Sequence, residues 1–166
     1  MYDNYIMLHG KKVPLTEEQV AALLGGKETA CAKVEPFEPQ TGQNYFYISD
    51  RGEVFNEDDH NLQCDKKRYN VGNYCTDYEM MNQRAMHETL NRLLWRYSEQ
   101  HGGDAEWDRE SRHFYIRIDD KGEPFWDWFV CSRPFGPVYF KDMETAICAI
   151  EDVVKPFLAE HPDFVW

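Results

Sequence analysis

Two stretches set seventy residues apart say the same thing about local folding. Tyr45-Phe46-Tyr47-Ile48 runs through Asp50-Arg51-Gly52-Glu53 into Val54-Phe55, and Tyr115-Ile116-Arg117-Ile118 runs through Asp120-Lys121-Gly122-Glu123 into Pro124-Phe125-Trp126. Both carry D-x-G-E-x-F at the reversal. Asp can bond its own backbone in a turn, and Gly takes a left-handed conformation that other residues resist. Each is therefore read as an aromatic β-hairpin. A short third strand opened by Gly follows each, at Gly72-Asn73-Tyr74 and at Gly136–Phe140.

Each unit then closes on an amphipathic helix. The first spans about 76–101, with Thr76 and Glu79 as a capping box, Gly102-Gly103 as the stop, and Tyr78, Met81, Ala85, Met86, Leu90, Leu93, Leu94 and Tyr97 at helical spacing. The second spans about 142–160, with Ala146, Ile147, Ile150, Val153, Val154, Phe157 and Leu158 as its stripe. Pro156 inside that pattern is expected to kink the helix or mark its last turn. Cys148 falls in the stripe and is expected in the core.

Ahead of these units, Tyr5–Leu8 and Lys12–Leu15 read as a hairpin turning through His9-Gly10-Lys11. Thr16 and Gln19 then cap a short helix ending at Gly25-Gly26, and residues 34–42 form an extended connector. The predicted fold is α+β. It is an antiparallel sheet with helices on one face, in two β-β-β-α-like units (44–103 and 104–166) preceded by an N-terminal hairpin plus helix (1–33), all one domain over 1–166.

Composition narrows the class. Hydrophobic residues at 42% and aromatics at 15% leave ample core and argue against disorder. No apolar run approaches a membrane span, and Met1-Tyr2-Asp3-Asn4 lacks the basic flank of a signal peptide, so a cytoplasmic location is expected. The five cysteines form no C-x-x-C pair and are expected reduced.

Thirty acids against eighteen bases give a net charge of −12, and residues 104–166 hold fourteen of the acids against seven bases. Direct binding to nucleic acid is not expected, because that affinity rests on Lys and Arg neutralising phosphates. A protein partner with a basic surface is favoured instead. Asp104, Glu106, Asp108 and Glu110 alternate around Trp107. In an extended segment that period puts all four on one face, imitating a phosphate strand, or they form a solvated loop. Asp119 and Asp120 lie at the second hairpin turn. In Phe125-Trp126-Asp127-Trp128-Phe129, Trp126 and Trp128 face one side and Asp127 the other. Those aromatics are either a recognition surface, a sheet buried on both sides, or a homodimer contact. The candidate partner-binding set is Asp104, Glu106, Trp107, Asp108, Glu110, Asp119, Asp120, Trp126, Asp127 and Trp128.

No catalytic template is satisfied and no cofactor is called for. His87-Glu88 opens like a metalloprotease helix, but the fourth residue on is Asn91. Glu57-Asp58-Asp59-His60 with Cys64, Asp65 and Cys75 is read as a solvated acidic loop between strands. Its competing reading is a soft metal site or a cryptic enzyme centre.

Tyr45–Phe55, Arg68–Thr76 and Gly136–Ile150 together resemble small accessory proteins encoded in phages and prophages of Gram-positive bacteria. In these an aromatic D-x-G-E hairpin precedes an R-Y-x-x-G-N-x-[FC]-x-T stretch and an acidic helix. Inhibitors of host defence, including anti-CRISPR proteins that block a Cas nuclease, are well represented among such proteins. The resemblance implies a non-enzymatic inhibitor whose partner is a Cas nuclease or its RNA-bound complex. The alternative is a self-associating structural or regulatory phage protein without inhibitory activity.

Overall fold

The computed structural model describes residues 5–8, 11–14, 16, 39–103 and 107–166. The chain divides into two compact units, Met1–Glu38 and Pro39–Trp166, where the sequence reading has a single domain. In the first, β1 (Tyr5–Leu8) and β2 (Lys11–Pro14) pair antiparallel with Leu8 opposite Lys11. The expected hairpin forms, and Lys11 belongs to its strand. The helix expected after Thr16, and the connector up to residue 38, lie outside the described residues.

The second unit opens with β3 (Asn44–Ile48) and β4 (Val54–Asp58), antiparallel with Ile48 opposite Val54. The D-x-G-E turn is made by the residue before it. Ser49 Oγ accepts from the Arg51 and Glu53 amides at 3.2 and 3.3 Å. In the second hairpin the Asp119 carboxylate accepts from Lys121 and Glu123 at 2.8 and 2.9 Å. Gly52 and Gly122 sit at φ +87° and +84°, so the two turns are copies of each other. Asp50 and Asp120, expected to hold the turns, stay exposed.

Within Pro39–Trp166, the stretch 44–103 departs from the β-β-β-α reading in two ways. Residues 57–65 are not one loop: they hold the end of β4 and the start of a helix, α1 (Gln63–Asn70). That helix has no apolar stripe to betray it. It is held by Asp65, which accepts the Leu62 amide at 2.9 Å across the helix's first turn. The predicted third strand at Gly72–Tyr74 shrinks to one bridge between Phe46 and Cys75, because the chain bends through Gly72 at φ +71°.

Next comes α2 (Tyr78–Gln100). Asp77 caps it, accepting the Met80 amide at 3.1 Å, one residue later than the expected Thr76. Either side chain can cap, and Asp77 has the extended backbone that a cap requires. Met81, Ala85, Met86, Leu90, Leu94 and Ser98 form its buried stripe.

In the second half β5 (His113–Ile118), β6 (Pro124–Phe129) and β7 (Tyr139–Phe140) form a three-stranded antiparallel sheet in the order β6-β5-β7. The closing helix runs as α3 (Met143–Ala149), a π-helical turn (Ile150–Val154) and α4 (Lys155–Glu160), with Asp142 as cap. Pro156 has no N–H to give the carbonyl of Asp152, and the helix widens there, with the Lys155 amide reaching Ile150. The proline thus brings a wider turn and one more helical segment. Cys148 is exposed, against expectation. Ala146, Ala149 and Ile150 set the buried face, and Cys148, two residues beyond Ala146, lies roughly 200° around the helix from it.

α2 is the shared spine. Its middle and end pack with Val138, Phe140, Ala146, Val154 and Phe157, joined by Phe114, Ile116 and Trp126 from the sheet. Its first turns pack with Ile48 of the first hairpin in a smaller cluster. Among the described residues no helix is long and apolar enough to cross a membrane.

Candidate functional site

The helix-facing side of the three-stranded sheet is core; its other side carries the residues of interest. Tyr115 stacks on Phe129 with centroids 4.9 Å apart and rings 11° from parallel. The loop before β5 lays Trp107 flat on His113 at 3.4 Å and edge-on to Tyr139 at 5.1 Å. Arg133 lies over both Trp107 and Tyr139, at 5.3 and 5.5 Å. His113 is buried, with Nε2 2.8 Å from the Asp108 carbonyl. Trp107 is thus a half-buried lid over a sheet covered on both faces at this end.

The predicted acids do different jobs. The Asp108 carboxylate turns back to accept the Glu110 and Ser111 amides, both at 2.6 Å, so the chain bends here and the period-two alternation does not continue to Glu110. The Ser111 hydroxyl, together with those two amides, holds its carboxyl below the usual range. Asp119 builds the hairpin turn. Asp127 meets Arg117 at 3.1 Å and Tyr115 Oη at 3.3 Å. Burial would raise its pKa, but the Trp128 amide and Arg117 outweigh that and lower it. Glu110 and Asp120 face water. Trp126 is half-buried and packs against the core; Trp128 is 40% exposed beneath Arg112. Asp104 and Glu106 lie outside the described residues. The structure therefore gathers Trp107, Asp108, Asp127 and Trp128 on and around one sheet, while Asp119 and Asp120 stand at its tip.

A polar cluster that sequence reasoning missed lies in the first half. Tyr45, fully buried, stacks on Tyr74 at 4.0 Å and 5°. Its hydroxyl donates to Asp65 at 2.9 Å and accepts from Arg68, which also binds Glu57. Tyr74 donates to buried Asp59 at 3.0 Å. Burial pushes Tyr45 up to about 12, so its phenol stays protonated at neutral pH. Every buried side-chain N or O among the described residues has a partner, as in a brace. Its signal was Arg68-Tyr69…Tyr74, the stretch that carries the resemblance. His60, Cys64 and Cys75 do not converge: among the described residues no group of three or more His, Cys, Asp or Glu side chains can hold a metal ion.

A cavity of about 500 Å³ runs between α2 (His87, Leu90, Asn91, Leu94), the β5 edge at Tyr115–Arg117, the 136–138 loop, and Phe164 and Trp166. No known family model, curated protein or solved structure matches the chain.

Proposed function

We propose that this chain is a non-enzymatic acidic binding protein that docks on a partner with a basic, nucleic-acid-handling surface, a Cas nuclease or its RNA-bound complex being the class the resemblance implies. The observation that supports the reading is how charge is spent in the acidic last third. Arg117, Lys141 and Lys155 are each tied to an acid, Asp127, Asp142 and Glu151. Arg112 and Arg133 lie on aromatic rings. Glu110, Asp120, Glu123 and Glu144 meanwhile face water beside Arg109 and Lys121, so acids outnumber bases among these exposed charges and the outward field suits a basic partner. Asp108 and Asp119 shape the loops that present Glu110 and Asp120, while Asp127 ties Arg117 within the sheet.

The test is binding to an RNA-loaded Cas nuclease at two salt concentrations, with a quadruple variant Asp104→Asn, Glu106→Gln, Glu110→Gln, Asp120→Asn. Affinity should fall at least about tenfold and its salt dependence should flatten, since exposed pairs are screened over about 10 Å at 0.1 M. Unchanged binding, or none by the native chain, would overturn the reading. Fully exposed Phe135 favours a second reading, a self-associating module. A stable oligomer in light scattering that dissolves on Phe135→Ser would select it.

A further inference from the structure

The two copied hairpins differ in what closes their outer edge. In each, the amide before the D-x-G-E turn bonds across it, Ser49 to Glu53 at 2.8 Å and Asp119 to Glu123 at 3.0 Å. Neighbouring residues of a strand turn their N–H and C=O to opposite sides. Ile48 and Ile118, next in line, therefore turn theirs away from the hairpin partner. Pro124, which has no N–H, lies opposite Ile118 and fits this register.

At the first copied hairpin (β3 and β4) those outward groups are satisfied. The Asn73 carboxamide accepts from Ile48 N–H and donates to Ile48 C=O, both at 2.7 Å. Cys75 exchanges two backbone bonds with Phe46, at 2.7 and 3.0 Å. At the second copied hairpin β7 pairs only with Phe114 and Tyr115. Among the described residues Ile118 has no counterpart of Asn73. The stretch of β5 just before it, Ile116 and Arg117, lines a 500 Å³ cavity. The sheet's other edge is blunted: Pro124 has no donor and Asp127 takes the Trp128 amide at 2.8 Å.

We infer that the β5 edge at Ile116–Ile118 is a docking site for an extended segment of a partner polypeptide, added as a further strand beyond β7. The incoming backbone supplies what Asn73 and Cys75 supply at the first copied hairpin. Ile116 points to the helices and packs on the core, so a residue across from it points the same way, into a cavity walled by Leu90, Leu94, Val138 and Phe164. That residue is apolar, and alternate residues face solvent. The site uses backbone and cavity, not the exposed acids, and stands or falls apart from acid-mediated docking.

Amide exchange on the whole chain tests the open edge. The Ile118 amide should exchange at least about tenfold faster than that of Ile48; equal protection would overturn the proposal. A display library of short random peptides tests the occupant. Enriched sequences should alternate apolar and polar residues, slow exchange at Ile118, and lose at least about tenfold in affinity to Asn91→Trp, which fills the cavity from an exposed helix position, and to Ile118→Pro, which removes the outward N–H. If Ile118→Pro fails to fold, Asn91→Trp alone decides. No enrichment, enriched peptides indifferent to the filled cavity, or Ile118 protection that appears only as the chain dimerises would each overturn it.

Discussion

At the scale of single residues, Asp65 does the most. Its 2%-exposed carboxylate accepts from Tyr45, from the His60 and Leu62 amides, and from Cys64. Burial would raise its pKa, but those donors outweigh burial and lower it. A carboxyl depressed on folding adds stability that is present above its unfolded pKa of about 3.9 and fades as pH falls through the folded value. Asp65→Asn should cost about 2–4 kcal/mol at neutral pH, because two amides and a buried phenol lose a charged acceptor. It should also make stability less sensitive to pH below about 4. Urea melts of both proteins across acid pH check this; parallel curves would show that folding leaves the Asp65 pKa unchanged. The turn residues Ser49 and Asp119 teach a smaller lesson. The D-x-G-E spacing located the turns, while the bonding side chain sat one place earlier, where no motif pointed.

At the scale of elements, the copied turns permit a paired test. Both glycines need positive φ, but a Cβ on Gly52 would meet Thr89 Oγ1 at 3.0 Å, whereas on Gly122 nothing lies within 4 Å. Gly122→Ala should cost about 1–2 kcal/mol from backbone strain alone, and Gly52→Ala more. Thermal melts that rank them the other way would refute the close packing of the first turn on α2. Asn73→Ala should cost about 1–3 kcal/mol, since it orphans both backbone groups of buried Ile48. Asn73→Asp keeps the acceptor and loses the donor, so it should fall between. Hairpins and long helices were legible because period and turn chemistry are local. α1 was not, since Gln63–Asn70 carries no apolar face and is fixed by Asp65 bonding backwards to Leu62. The missing strand at Gly72–Tyr74 was also illegible: a side-chain amide replaced a ladder, and sequence spacing does not reveal that exchange. The acidic run failed differently. Asp108 looked like one tooth of a comb, yet the nearest amides captured it.

At the scale of the molecule, the two copied hairpins do not make two equal halves. α2 serves both, its first turns packing on Ile48 and its later turns on the sheet and the closing helix. Buried apolar side chains of this size contribute about 1.5–3 kcal/mol each, and every member of both clusters lies in Pro39–Trp166. A chain beginning at Pro39 should therefore fold by itself with a single cooperative transition, because one helix threads both clusters and neither can melt without exposing it. Calorimetry on residues 39–166 checks this. One transition near that of the whole chain is expected, whereas two transitions would mean that the first hairpin and the second half are joined only loosely through α2. Leu90→Ala, at the centre of that helix's buried stripe, should lower the transition of the whole unit, costing about 2–5 kcal/mol. If it destabilised the sheet while amides of β3 and β4 kept their protection, the shared spine would be two independent supports. The two cores would then be coupled by chain connectivity alone.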